Sequence, residues 1–400
     1  MIPAFDHQPR TRIVFGPGTI ERLGEVAREL PAKRVLLVTD KGVEAAGHLA
    51  RVRRSLEAAG LAVIVFDEVI QNPTTRCVET CRNMAQTGLV DAIVGLGGGS
   101  SLDTAKGCNF LLTNGGRMQD YWGTGKAAKP MLPLIAIPTT AGTGSECQSY
   151  ALITDEHTHR KMACGDPKAA ARVAILDPVL TLSQPPKVAA CTGMDTVAHA
   201  LETAVTRKRT AFSFLYSREA FKLASRALPR VVQQPDDLQG RGEMLLAAAW
   251  AGTAIENSML GAAHAAANPL TARFGIVHGE AVGMMLPWVV RFNAEDPATA
   301  LAYEDLARAA QITTVDGSSQ AAGEALAARI EELLQLAGLP RRLQERGVDQ
   351  AAIPLLAQEA TREWTGGFNP RTVVEDDFAR LYRGALGLWP AGPGGRLRSL

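Results

Sequence analysis

Asp91–Lys106 reads DAIVGLGGGSSLDTAK. An apolar run of strand length, a glycine cluster and a stretch of helical composition follow one another without a gap. Glycine lets the backbone approach a phosphate, and a helix N-terminus offers unbonded N–H groups and a positive dipole end. The segment therefore reads as one βα unit of a nucleotide-binding sheet. It is not the GxGxxG fingerprint, because the glycines are followed by Ser100 and Ser101. A tight turn without a ligand has the same composition. The strand–turn–helix context is what points to a phosphate.

The flanking sequence repeats the unit. Lys33–Asp40 (KRVLLVTD) and Leu61–Phe66 (LAVIVF) read as strands on either side of a helix over 42–60. Residues 74–88 read as the next helix, and Pro133–Pro138 (PLIAIP) as another strand. Such alternation predicts a mostly parallel sheet, and the unbroken apolar runs suit strands covered on both faces. Residues 151–162 read as a hairpin turning at Asp155–His159, and Val173–Leu176 as one more strand. Beyond about residue 185 the texture becomes Ala- and Leu-rich, with helices expected at 188–207, 211–228, 241–267, 298–312, 318–337 and 374–386. TLSQPP, ending at Pro186, breaks the pattern, so the expected domains are 1–183 and 184–400. The last residues, WPAGPGGRLRSL, read as a loose tail.

PTTAGTGSE (Pro138–Glu146) also follows an apolar strand. Thr139, Thr140, Thr143 and Ser145 offer hydroxyls there. Two such loops at neighbouring strand ends would converge on one crevice, where open α/β sheets bind ligands. Asp40 ends the Lys33–Asp40 strand. Its carboxylate could take a ribose diol and repel a 2′-phosphate, or it could cap the helix that follows.

The helical half holds GMDTVAHALE, with Asp195 and His199 four residues apart and so on one helical face. His264 lies in AAHAAANPL, in a helix that must weaken before Pro269, and His278 lies in a glycine-flanked turn. One carboxylate and three imidazoles make a plausible ligand set for Fe(II) or Zn(II). Taken singly, each histidine is as well explained by ordinary packing.

Composition narrows the partners. The net charge is +1 and no basic stripe is visible, which argues against nucleic acid. No run of about 18 apolar residues and no apolar leader is present, so a cytoplasmic protein without a membrane partner is expected. Six cysteines are scattered without a CxxC pair and read as packed, idle thiols.

GGGSSLDTAK, PTTAGTGSE, the GMD–His segment, AHAAANPL and HGEAVGMMLP occur here in one order. On these segments, the chain resembles the iron-containing (group III) alcohol dehydrogenase family from about residue 10 to about 388. The resemblance implies an α/β, Rossmann-like dinucleotide-binding N-terminal domain and an all-α metal-binding C-terminal domain. It implies that Asp195, His199, His264 and His278 bind Fe(II), with Zn(II) the alternative, and serve in catalysis. It implies NAD as cofactor. Gly97, Gly98, Gly99 and Ser100 would meet the pyrophosphate, Thr139, Thr140 and Thr143 the nicotinamide side, and Asp40 the adenosine ribose. Asn72 and Lys161 match further cofactor positions, and Asp103 and Ser145 are counted with them. Asp40 favours NAD over NADP.

One position departs from the family pattern. Asn268 stands where many relatives carry a histidine, and an amide cannot shuttle a proton. A relay through water and the ribose hydroxyls is the substitute the sequence suggests. The expected activity is hydride transfer between NAD(H) and a small alcohol or aldehyde, in a homodimer or larger homo-oligomer. The alternatives are a maleylacetate-type reductase or polyol dehydrogenase on the same scaffold, and a non-catalytic nucleotide-binding paralogue. The retained Asp/His quartet speaks against both the metal-free reductases and the non-catalytic reading.

Overall fold

The computed structural model describes residues 4–313 and 319–388. The tail at 389–400 lies outside the described residues. The chain divides into two compact units. One comprises Asp6–Pro185 with Asp236–Glu256, and the other Met1–Phe5, Pro186–Pro235 and Asn257–Leu400.

The first unit is built on β1 (Arg12–Phe15), α1 (Leu23–Arg28), β2 (Arg34–Val38), α2 (Lys41–Ala45), α3 (His48–Ala58), β3 (Ala62–Phe66) and α4 (Thr75–Thr87). It continues with β4 (Ala92–Gly97), α5 (Gly99–Asn114), β5 (Gly123–Thr124), β6 (Leu134–Pro138), β7 (Tyr150–Thr154), β8 (Lys161–Gly165) and β9 (Val173–Leu176). Six strands form one wholly parallel sheet in the order β1–β9–β6–β4–β2–β3. Every residue of β4, β6 and β9 is buried, as their continuous apolar sequences require.

Strand alternation divides the core. Val35 and Leu37 of β2 pack on one face with Val26, Val52 and Leu56, while Leu36 and Val38 pack on the other with Cys81, Leu102 and Ala105. Helices thus cover both sides. In the register, Gly97 of β4 lies beside Pro138 of β6. The loops after these two strands therefore leave the sheet side by side.

The expected hairpin forms, with β7 antiparallel to β8 and an Asp155 Oδ1 that accepts from His157 N and Thr158 N in the turn. It joins β5 in a separate three-stranded sheet. The helix expected over 42–60 is two helices, divided where Gly47 takes φ +82°. All six cysteines are buried and free, as expected.

The helical elements are α6 (Pro186–Thr203), α7 (Ala211–Gln233), α8 (Leu238–Ser258), α9 (Ala262–Phe274), α10 (His278–Asn293), α11 (Pro297–Ala309), α12 (Ser319–Leu336), α13 (Ile353–Thr361) and α14 (Glu375–Ala385). Two expectations are corrected here. The helix read over 241–267 is α8 and α9, separated at Met259, whose φ is +79°, and Gly261. The helix expected to weaken before Pro269 runs unbroken through it to a left-handed cap at Gly275, φ +63°. Packing outweighs the local penalty: Leu270 and Ala266 are fully buried, and Tyr382 donates its hydroxyl to Ala266 O at 2.7 Å.

Most of α8 groups with the sheet unit. A Cβ on Gly252 would lie 2.2 Å from Gly144 O, so the two backbones touch. Glu256 accepts from Ser149 N at 2.9 Å and pairs with Arg10 Nε at 3.0 Å. A single cut in the sequence has no means of showing this return of the chain. Among the described residues, no helix is long and apolar enough to cross a membrane.

Candidate metal centre and nucleotide loops

In the helical unit, α6 presents Asp195 and His199 on one face, one turn apart. α9 contributes His264, and α10 begins at His278. Asp195 Oδ1 is the common point. It lies 3.4 Å from His199 Nε2, 3.3 Å from His264 Nε2 and 3.9 Å from His278 Nε2. One ligand atom from each of Asp195, His199 and His264 falls within 4.8 Å of the others. The imidazoles of His199 and His264 stack with centroids 4.9 Å apart, and His278 stands 5.4 Å from His264. Asp195, His199 and His264 are buried, whereas the His278 side chain is 30% exposed, so the cluster opens at that edge.

The electrostatics are those of a cation site. Burial works against the Asp195 carboxylate, yet His199, His264 and His278 hold its pKa below the usual range. Burial also opposes a charged His264, but Glu202 and Asp195 outweigh it and push its pKa up to about 9. Asp195 Oδ1 and His264 Nε2 are buried and make no hydrogen bond. Two polar atoms left so would each cost about 1–3 kcal/mol unless an ion takes them up. The donor set, one carboxylate oxygen and imidazole nitrogens, fits a divalent transition metal.

In the sheet unit, the glycine-rich loop is shaped by close approach. Gly97 takes φ +146°, and a Cβ there would meet Ser101 Oγ at 2.4 Å. A Cβ on Gly99 would meet Thr143 Cγ2 at 2.7 Å, and Thr140 lies against Gly98. The two loops are therefore in contact. Asn72, at φ +53°, donates its N–H to Ser100 Oγ at 3.3 Å. Thr139 N bonds Gly97 O at 3.0 Å.

Asp40 does cap the following helix. Its Oδ1 accepts from Gly42 N at 2.9 Å and Val43 N at 3.1 Å, while Oδ2 accepts from Ser101 Oγ at 3.1 Å. Asp40, Asn72, Gly97–Ser100, Thr140 and Thr143 are thus joined through direct neighbours. Lys161 stands apart, exposed at the start of β8 opposite Thr154. Asp103 and Ser145 are turned inward: Ser145 Oγ donates to Asp103 Oδ1 at 2.6 Å, and Leu152 N donates to Asp103 Oδ2 at 3.2 Å.

Two residues of these sites escaped the sequence reading. Lys106, fully buried, donates through Nζ to Ser145 O, Ser145 Oγ and Tyr150 O at 2.6–2.8 Å. It ties α5, which leaves the glycine loop, to the second loop and to β7. Burial lowers the Lys106 pKa and raises that of Asp103, each partner opposing the other's shift. Glu202 ends the quoted GMDTVAHALE segment, one further turn along the Asp195 face, and bonds His264 Nδ1 at 2.5 Å. The signal for each was a charged residue one helical turn from another site residue, Lys106 from Asp103 and Glu202 from His199. Asn268 sits one turn beyond His264 on α9, and its Nδ2 donates to Glu363 Oε2 at 2.7 Å.

Comparison with known proteins divides the chain once, near the start of α6. A family model described as iron-containing alcohol dehydrogenase matches residues 9–178, and a model of the Fe-containing alcohol dehydrogenase family, C-terminal, matches 189–386. The chain is 34% identical over 376 residues to the NAD-dependent methanol dehydrogenase of Bacillus methanolicus, covering 93% of this chain and 97% of that one. It is also 34% identical over 373 residues to the lactaldehyde reductase of Escherichia coli (strain K12), again covering 93% and 97%. A solved structure of a 1,3-propanediol oxidoreductase superposes with a TM-score of 0.92 at 32% identity, covering 96% of this chain and 100% of that one.

Proposed function

The chain belongs to the iron-containing alcohol dehydrogenase family and is a metal-dependent alcohol dehydrogenase or aldehyde reductase, and from that premise we propose which residues carry the reaction. Asp195, His199, His264 and His278 hold one divalent iron, for which Zn(II) can substitute. The loops at Asp40, Asn72, Gly97–Ser100 and Thr139–Thr143 hold NAD; Lys161, exposed apart from them at the start of β8, is counted with the cofactor positions by family resemblance alone. Asp103 and Ser145 shape those loops from within. The substrate is a small alcohol or aldehyde.

The observation that carries this reading is the convergence of buried, unbonded Asp195 Oδ1 and His264 Nε2 with His199 Nε2. When bound, the metal supplies Lewis acidity that lowers the pKa of an alcohol, and the nicotinamide supplies the hydride chemistry. The protein's own part is to orient and to exclude water. The α6 and α9 ligands are buried, leaving the partly exposed His278 edge as the approach for substrate and the exit for its proton. Asn268 cannot carry that proton at neutral pH, and its amide is already engaged by Glu363. The proton therefore passes to water. The same reading extends to a cytoplasmic homo-oligomer, for which light scattering on the purified chain gives the subunit number.

NADH oxidation with a panel of small aldehydes, with and without added Fe(II) or Zn(II), tests the assignment. Metal-dependent turnover is expected, and His264→Ala should lose bound metal and turnover together. Absence of turnover with every aldehyde, despite bound metal and NAD, would sink it.

A further inference from the structure

We propose that Glu202 is a positioning residue of the metal centre: its carboxylate locks His264 with Nε2 presented to the ion, and ties the start of α9 to the face of α6 that carries Asp195 and His199. The inference rests on the quartet being a metal site.

Asp195, His199 and Glu202 occupy i, i+4 and i+7 of α6, hence one face. Glu202 is 4% exposed. Both of its oxygens are committed to α9. Oε2 meets His264 Nδ1 at 2.5 Å, and Oε1 accepts from Ala263 N at 2.6 Å. The N-cap of α9 is Gly261, which has no side chain to satisfy the first-turn N–H groups. A Cβ at Gly261 would come within 3.0 Å of Glu202 Oε1. The glycine thus makes room for the carboxylate that performs the capping from another helix.

The chemical consequence falls on the imidazole. A carboxylate behind the ring accepts, so in the neutral, ligating form of His264 the proton sits on Nδ1 and Nε2 keeps its lone pair for the ion. Nε2 is the atom that lies 3.3 Å from Asp195 Oδ1 with no hydrogen bond of its own. A carboxylate behind a ligating imidazole also raises its basicity. Asp195 and Glu202 together match the charge of a divalent ion, so the buried centre is neutral when loaded.

Glu202→Gln separates this role from simple helix capping. The carboxamide has one acceptor and one donor. If its oxygen keeps Ala263 N, its NH₂ faces His264 Nδ1 and favours the Nε2–H tautomer, which cannot ligate. If it turns, the cap is lost instead. The test is competition between the full-length metal-free protein and a chromophoric chelator for Zn(II), with thermal unfolding of the metal-free protein measured alongside. Zn(II) affinity of Glu202→Gln should fall by about 10–100-fold, with metal-free unfolding near wild type. Zn(II) affinity within about threefold of wild type would overturn the proposal. If His264→Ala also binds as wild type does, the quartet itself has been misread. Should Glu202→Gln not fold, Zn(II)-loaded wild type with ¹⁵N-labelled histidine decides: a slowly exchanging Nδ1–H on His264 supports the proposal, and an Nε2–H there refutes it.

Discussion

At the scale of the residue, single side chains here hold two partners at once. Asp40 caps α2 with one oxygen and accepts from Ser101 with the other, beside the Gly97 turn. The sequence left capping and ribose recognition as alternatives; the capping is seen, and under the proposed NAD site the same carboxylate would repel a 2′-phosphate. The two roles separate in Asp40→Ser. Serine still caps but gives up the Ser101 bond, so unfolding should shift by no more than about 0.5–1.5 kcal/mol. The lost charge should raise the ratio of kcat/KM for NADP to that for NAD by roughly tenfold or more. An unchanged ratio in steady-state assays would remove Asp40 from cofactor choice.

At the scale of the element, the contact between the second loop and α8 is backbone on backbone. Gly252 faces Gly144, and a Cβ at either position would press into the other's main chain. Glycine to alanine inside a helix ordinarily stabilises by about 1 kcal/mol. Here the added methyl, 2.2 Å from Gly144 O, must push helix and loop apart. Gly252→Ala should therefore destabilise by about 1–3 kcal/mol in urea unfolding and weaken NAD binding measured by fluorescence. A more stable variant would show that the loop yields to the methyl without loss of packing. The same contact explains why the division of the chain is not legible in its sequence. TLSQPP marks where the helical texture begins, but nothing local to 236–256 tells that this segment packs back on the sheet unit.

At the scale of the whole molecule, one buried acid sets a pH dependence of stability. Glu146 is 1% exposed and its Oε1 has no hydrogen-bond partner. Burial raises its pKa to about 7, against its own backbone N–H and Lys106, which lower it. The unfolded chain ionises near 4.5, so between pH 4.5 and about 7 the folded state binds the extra proton. Stability then falls as pH rises through that window and levels off above it. The loss is on the order of 3 kcal/mol by pH 8. In urea unfolding, the drop in stability between pH 5 and pH 8 should be smaller in Glu146→Gln than in wild type by about this amount; His264, raised to about 9, adds a loss of the same sign above pH 6.5 to both proteins. An equal slope in the variant would assign the pH dependence to other groups.

The sequence by itself determined the local and the repeated. Apolar runs of strand length, separated by helical stretches, fixed a parallel sheet covered on both faces. The spacing of Asp195 and His199 fixed a shared helical face. The ordered motifs fixed the family. Tertiary structure decided what spacing along the chain cannot encode. It brought His264 and His278 to Asp195 from two further helices, carried α9 through Pro269, and turned Asp103, Lys106 and Glu202 inward as supports. The physical reason is that a strand or helix is chosen by its own period and termini. Which buried charges meet is chosen by packing between distant segments, where a polar group without a partner is too costly to leave alone.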